Sequence, residues 1–232
     1  MIRIFLIRHG ESIQNSNENY DNAPSHLVSL TEKGKKQAEE CGKFLKDYTN
    51  QNNLNIEKSI LYVSPFARTR ETAKIINKHL KINNIKEDIA LVEQQHGLFE
   101  NIPYAEWGKF GKEYEHYQNY YENNGKFYAK FPQGESPFDV AIRMRQFIIT
   151  MLNDIDENTK NIFIVSHGTA IRMFILSYFN HPPEWFEAES SMENCSVRLI
   201  ERQSHNHSID KDYIYGKRKK PNKTTAKNLQ NE

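Results

Sequence analysis

Four short β-branched runs, at residues 2–7, 60–63, 89–92 and 162–165, are separated by segments whose apolar residues recur every three or four positions. Parallel neighbouring strands need a crossover between them, so strands that alternate with helices confine the chain to an α/β fold. The expected architecture is a three-layer α/β/α sandwich with a mostly parallel central sheet. Local signals place several of the helices. Thr31 before Glu32 reads as an N-cap, and Ser136-Pro137 with Asp139 reads as a close relative of the capping box. The second of these helices presents Val140, Met144, Phe147 and Met151 on one face. A further helix is expected over 169–179 and a late strand over 196–200.

Between the third and fourth runs lies a segment, roughly 97–131, that holds eleven of the chain's 27 aromatic residues. A connection of that length is expected to be a helical cap rather than bare loop. Tyr104, Trp107, Phe110, Tyr114, Tyr117 and Tyr121 have the spacing of a helix face. Packing on the core is favoured for them over stacking on a substrate. Lys109, Lys112 and His116 fall on the opposite face, where a solvated role is expected.

At 232 residues the chain can bury one sizeable core. One domain is expected over 1–216, with the cap inserted in it. Residues 217–232 carry six of the 31 basic side chains and one of the 30 acidic, which is +5 and leaves the body at −4. That body is not a nucleic-acid surface, and the tail reads as disordered, so its removal should leave catalysis intact. No apolar run is long enough to span a bilayer, and Arg3 interrupts the first one, so no membrane association and a cytoplasmic location are expected. Two cysteines far apart argue against a disulfide framework. Cys41 shares a helical face with Ala38, Leu45 and Tyr48, as a buried structural thiol would.

Each run ends in polar residues of one chemical theme. Arg8 and His9 follow the first, Ser64 and Arg68 the second, Glu93 the third and His167 the fourth. Adjacent strands lie about 4.8 Å apart, so side chains leaving neighbouring carboxyl ends converge in one pocket. Arginines there supply permanently charged, bidentate donors for phosphate oxygens and disfavour protonation of nearby imidazoles. His9 then keeps a lone pair for attack on phosphorus, while Arg8, Arg68 and His167 stabilise the equatorial oxygens in the transition state. Glu93 is placed to protonate the leaving alkoxide and then to deprotonate water. Arg70 competes with Arg68, and Glu87 and Glu100 compete with Glu93, with a surface ion pair as the alternative for each. His96 either lines the pocket or is solvated. No metal ligand set and no cofactor are called for.

The run Leu6-Ile7-Arg8-His9-Gly10-Glu11-Ser12, with Asn15 six residues past His9, resembles the histidine phosphatase superfamily of phosphoglycerate-mutase-like proteins. Leu30-Thr31-Glu32-Lys33-Gly34 with Gln37-Ala38, Ser64-Pro65 with Arg68-Thr69 and Glu71-Thr72-Ala73, Glu93 with Gly97, and Val165-Ser166-His167-Gly168 resemble its later blocks in order. The stretch from Phe127 to Ser136 is similar to a block of plant and fungal phosphatases of that group. The resemblance implies that His9 is the phosphorylated nucleophile, that Arg8, Asn15, Arg68 and His167 bind phosphate, and that Glu93 is the proton donor. Ser12 either donates to phosphate or closes its loop, and Asn15 has the same two readings.

The expected activity is hydrolysis of a phosphomonoester, through a phosphohistidine, on a small metabolite or a phosphoprotein. Mutase-type phosphoryl transfer is the first alternative. It is disfavoured because residues 17–26 lack glycine and the cap lacks paired arginines, so anchors for reorienting a bisphosphate are missing. A non-catalytic phosphate reader is the second alternative, and it would not require Glu93. The sequence sets neither the substrate nor the oligomeric state.

Overall fold

A computed structural model describes residues 1–16, 23–100, 102, 104–123, 125–204 and 207–219. Part of the glycine-free loop (17–22) and most of the basic tail (220–232) therefore lie outside the described residues. Six strands run β1 (Ile2–Arg8), β2 (Ser59–Val63), β3 (Asn84–Glu87), β4 (Asn161–Ser166), β5 (Val197–Ser204) and β6 (His207–Tyr215). They form one sheet in the order β3-β2-β4-β1-β5-β6. The first four strands pair in parallel, whereas β5 pairs antiparallel with both β1 and β6.

The helices are α1 (Ile13–Ser16), α2 (Glu32–Gln51), α3 (Ala67–Leu80), α4 (Lys112–Asn123), α5 (Pro137–Asn153), α6 (Gly168–Phe179) and α7 (Pro183–Ala188). Strand periodicity explains how they are layered. In β1, Ile4 and Leu6 join a core with Val140, Met144 and Phe147 of α5 and Ile171 and Phe174 of α6. Phe5 and Ile7 point the other way, into a core with Ala38, Cys41 and Leu45 of α2 and Ala73 and Ile76 of α3. Phe5 stacks on Phe163 of β4 at 4.5 Å. Both faces of the central strands are therefore dry, which is why those strands read as unbroken apolar runs. Local caps fix the helix starts as the sequence suggests. The Thr31 hydroxyl accepts from Gly34 N at 3.0 Å, and Ser136 and Asp139 make a reciprocal capping box.

Two elements differ from expectation. The third strand is Asn84–Glu87, and residues 89–91 form a 3₁₀ turn instead. The Asp88 carboxylate accepts from Ala90 N at 2.8 Å, which turns the backbone away from the sheet edge before the apolar run can extend it. The last strand, β6, has no counterpart in the sequence reading. It is an edge strand whose pairing with β5 is interrupted by register shifts, with Asp212 at φ +57°, so a period of two does not appear.

The cap consists of two 3₁₀ segments (Gly97–Phe99 and Tyr104–Phe110) followed by α4. Phe99, Trp107, Tyr117 and Phe131 make a small core of their own, with Phe99 4.6 Å from Trp107 and 4.7 Å from Tyr117. Tyr114 and Tyr121 pack around it, while Lys109, Lys112 and His116 are exposed. These aromatic residues are a packing device, although the side chains of Tyr104 and Phe110 lie outside the description.

Candidate active site

Strand β4 lies between β1 and β2, with Arg8 opposite Ser166 and Val63 opposite Val165. The ladder continues one step past the strands, as His9 N donates to Ser166 O and Ser64 N donates to Val165 O, each at 3.0 Å. His9, Ser64 and His167 therefore leave three adjacent carboxyl ends together. Helices α2 and α3 cover one face of the sheet and α5 and α6 the other, so this point is a topological switch, where α/β folds open a crevice.

The imidazoles of His9 and His167 lie 5.1 Å apart, centroid to centroid, and are inclined at 60°. His9 is 3% exposed and His167 0%. His9 Nδ1 is 2.7 Å from Gly10 O, and because a carbonyl only accepts, the ring proton belongs on Nδ1 and the lone pair on Nε2. His167 Nε2 lies 2.8 Å from Ser64 Oγ. Burial, reinforced by Arg8 and Arg68, holds His9 well below the usual histidine range. His167 is lowered well below it by burial and then by Arg68, His9 and Arg8. Both rings are thus neutral at neutral pH.

Arg8 and Arg68 are themselves buried. Arg8 Nη1 donates to Met192 O and Arg68 Nη1 to Ser25 O, each at 2.6 Å, and the Arg68 guanidinium lies 4.9 Å from the Phe66 ring. Desolvation lowers the Arg8 pKa, partly countered by Glu93. The Glu93 carboxyl group accepts from Thr169 N and Ala170 N, each at 3.2 Å, at the first turn of α6. A Cβ on Gly168 would lie 3.6 Å from Arg8 Nε and 3.7 Å from Glu93 Oε2, so these two side chains converge on the start of α6.

Glu93 reaches this place by a route the sequence reading does not contain. It follows the 3₁₀ turn rather than a strand, and Arg143 of α5 holds the segment by donating to the carbonyls of Ala90 (2.5 Å), Val92 (2.9 Å) and Glu93 (3.3 Å). The competing residues go elsewhere. Arg70 pairs with Glu87 on the surface, and Glu100 faces His96 at 3.5 Å, while the His96 ring packs edge-on to Phe131.

Ser12 is fully buried and paired in a bridge with Leu30. Asn15 Oδ1 accepts from Ser12 N at 3.4 Å and from Asn194 Nδ2 at 3.2 Å, and Asn194 Nδ2 also donates to His9 O at 3.0 Å. Asn15 therefore shapes the loop after His9. Glycine makes that loop possible, since a Cβ on Gly34 would lie 2.0 Å from Glu11 O and one on Gly10 2.4 Å from Gly34 O. The first turn of α2 and the loop after His9 thus meet backbone to backbone, locked by Thr31 N to Glu11 O at 2.9 Å and Glu11 N to Gln37 Oε1 at 2.8 Å.

Arg8 Nε, His167 Nδ1 and Ser12 Oγ are buried without a hydrogen-bond partner among the described residues. Tyr117, Asn161, Arg172 and Tyr213 hold such atoms elsewhere, but those of Arg8 and His167 flank His9 and mark a place where a polar ligand completes the bonding. Among the described residues no group of three His, Cys, Asp or Glu side chains has metal-binding geometry, and no helix is long and apolar enough to cross a membrane.

Sequence reasoning nominated Arg8, His9, Arg68, Glu93 and His167, and the fold brings them to one place. It named Ser64 without a role and missed Arg143 and Asn194. Arg143 carried a readable signal, a charge beside the apolar stripe of Val140, Met144 and Phe147. Asn194 carried none, because its position depends on Cys195 at φ +56°.

The chain is 32% identical over 215 residues to the phosphoglycerate mutase-like protein AT74H of Arabidopsis thaliana, covering 86% of this chain and 73% of that protein. It is 28% identical to the broad-range acid phosphatase DET1 of Saccharomyces cerevisiae, over 85% of this chain and 84% of that protein. Among solved structures, the alpha-ribazole phosphatase from Shigella flexneri matches with a TM-score of 0.74 at 20% identity, over 95% of this chain and 100% of that one, which is a likeness of fold. The sequence profile of the histidine phosphatase superfamily, branch 1, spans residues 4–212, and the chain belongs to that superfamily.

Proposed function

We propose that the protein hydrolyses phosphomonoesters of small metabolites or phosphoproteins through a phosphohistidine on His9. The observation that carries this reading is the pair of unpartnered polar atoms, Arg8 Nε and His167 Nδ1, beside the neutral imidazole of His9. Burying two guanidinium groups is costly without a counter-charge, and a phosphoryl dianion supplies one. The His9 Nε2 lone pair forms the P–N bond while the P–O ester bond breaks, and the leaving oxygen takes a proton from the Glu93 carboxyl. Water then attacks phosphorus, returns a proton to Glu93, and the P–N pair goes back to His9. Arg8, Arg68 and His167 stabilise charge on the equatorial oxygens in both steps, and Ser12 adds a donor.

A phosphatase, a broad-range acid phosphatase and a mutase-like protein among the relatives and structural neighbours support phosphoryl chemistry on this scaffold. Hydrolysis is favoured over mutase transfer because the cap's aromatic residues are spent on its own core and its exposed cations are lysines rather than paired arginines. The deciding experiment measures phosphate release from a panel of phosphomonoesters beside 3- to 2-phosphoglycerate interconversion, with His9→Ala as the blank. Turnover in the wild type that falls by about 10³-fold or more in the variant is expected, as is acid-labile label on His9. Interconversion dominating hydrolysis, or phosphate binding without label, overturns the proposal.

A further inference from the structure

Ser64 stands one step past the carboxyl end of β2, and its backbone is fixed on two sides. Ser64 N donates to Val165 O at 3.0 Å, and Ser64 O accepts from the Thr69 hydroxyl at 2.9 Å across the turn into α3. The side chain is fully buried, and its Oγ lies 2.8 Å from His167 Nε2. Phe66, two residues on, packs its ring edge-on against the same imidazole at 5.1 Å. Segment 64–66 therefore holds His167 by a polar contact and by a ring contact, while the His9 ring lies against it from β1.

These contacts leave one consistent placement of protons. A neutral imidazole has one N–H and one lone pair, and a hydroxyl can accept from the first or donate to the second. Burial and the flanking arginines keep His167 neutral, so it has a single ring proton to place. With that proton on Nε2, the ring would donate to Ser64 Oγ, and the Ser64 O–H would have no acceptor among the described residues. Nδ1 would then be a buried lone pair without a donor as well. With the proton on Nδ1, the Ser64 O–H donates to Nε2, and only the Nδ1–H is left over. Buried polar groups are rarely left unpaired, so the second arrangement wins. His9 and His167 thus carry their protons on the same nitrogen and use them oppositely. His9 gives its Nδ1–H to Gly10 O and keeps a lone pair, whereas His167 gives its lone pair to Ser64 and keeps an N–H.

We propose that Ser64 is a positioning residue that fixes the tautomer of His167 and so presents its Nδ1–H as a hydrogen-bond donor to the bound phosphoryl group. This rests on the pocket taking a phosphoryl group, as the proposed function requires, but not on its turning that group over. Ser64 acts only through the ring. Its effect on binding is one of sign. In the other tautomer a lone pair on Nδ1 would meet the lone pairs of a phosphoryl oxygen, and the ring would repel what Arg8 and Arg68 attract. No other described side chain hydrogen-bonds to that ring, so one hydroxyl decides whether the second imidazole helps or hinders the anion.

The test reads the ring nitrogens directly. Nitrogen NMR of the isotope-labelled full chain at about pH 8, where an ordinary histidine is neutral, separates a protonated from an unprotonated ring nitrogen. Loss of one ring's signals in His167→Gln assigns that ring. Wild type should carry the proton on Nδ1. Ser64→Ala, which removes the hydroxyl without adding bulk, should lose that fixed pattern, and Ser64→Thr, which keeps the hydroxyl, should retain it. Calorimetric binding of inorganic phosphate should weaken about tenfold in Ser64→Ala, the loss of one charge-assisted hydrogen bond, and far less in Ser64→Thr. A hydroxyl that only packs would change unfolding stability and leave the nitrogen spectrum where it was. A proton on Nε2 in wild type, an unchanged tautomer in Ser64→Ala, or equal phosphate affinity in wild type and Ser64→Ala overturns the proposal. Phosphate binding that depends on Ser64 in a chain that hydrolyses no phosphomonoester would instead sink the phosphatase reading and leave this one standing. No phosphate binding by the wild type would overturn both.

Discussion

Acid should destabilise this protein through its two active-site imidazoles, by an amount that can be isolated. His9 and His167 are buried neutral, with pKa values well below the ordinary 6.5. The unfolded chain exposes both rings and binds a proton on each as pH falls below 6.5, whereas the folded state does not. Stability is therefore intact above 6.5 and is lost as pH falls from there towards the folded values. For a ring that stays neutral throughout, lowering the pH from about 7.5 to about 5.5 removes about 1.4 kcal/mol, and about 2.7 kcal/mol for the pair. Carboxylates titrate in the same direction, so the wild-type slope alone decides nothing. Comparison with His167→Gln does, because glutamine keeps a polar group near Ser64 and has no proton to bind. Urea unfolding at both pH values, in a buffer free of phosphate, should show a loss about 1.4 kcal/mol smaller in His167→Gln than in wild type. His9→Gln should give a similar difference. Identical losses in wild type and both variants would show that the rings are not held neutral, and the chemistry assigned to His9 would fail with them.

Three further outcomes follow from named contacts. Glu93→Gln should slow substrates with alkoxide leaving groups by about 10²–10⁴ while affecting nitrophenyl phosphate far less, as measured by kcat on each. Arg68→Ala should lower kcat/KM by about 10²–10³, while Arg70→Ala, which removes only the surface contact with Glu87, should leave activity unchanged. Gly34→Ala drives a methyl group against Glu11 O, a backbone atom that cannot swing aside, and should cost about 1–3 kcal/mol in urea unfolding together with a fall in kcat as the loop after His9 shifts.

Where the sequence was readable, the cause was local. β1, β2 and β4 are buried on both faces, so their composition alone betrays them, and α2 and α5 begin at side-chain caps made within three residues. Arg8, His9 and His167 were legible for the same reason, as each sits at or one step beyond the end of such a strand. Arg68 was legible because it follows the start of α3 by one residue and so faces inward, while Arg70 turns out to solvent. By contrast β3 and β6 are edge strands. Asn84-Ile85-Lys86-Glu87 carries the charges that protect a sheet edge, and those charges hide the period that would have revealed it.

The parts of the site that were not readable share another property: each is fixed by backbone groups far away in sequence. Glu93 is expected as the residue after a strand, yet its place depends on Asp88 turning the chain and on Arg143, 50 residues downstream, binding the carbonyls of Ala90, Val92 and Glu93. Its carboxylate then meets the amides of α6, 76 and 77 residues on. Residues 217–219, which lie along the segment that receives Arg8, are likewise placed by backbone bonds to residues 191–193, although the composition around them argues for a solvated tail. Pattern reports what a residue needs from its immediate neighbours, and a segment held by distant backbone groups needs something that no neighbour in sequence supplies. His9, Arg8 and His167 can therefore be read from strand ends, while the place of Glu93 becomes visible only once the sheet order has brought β1 and β4 together and the chain has closed over them.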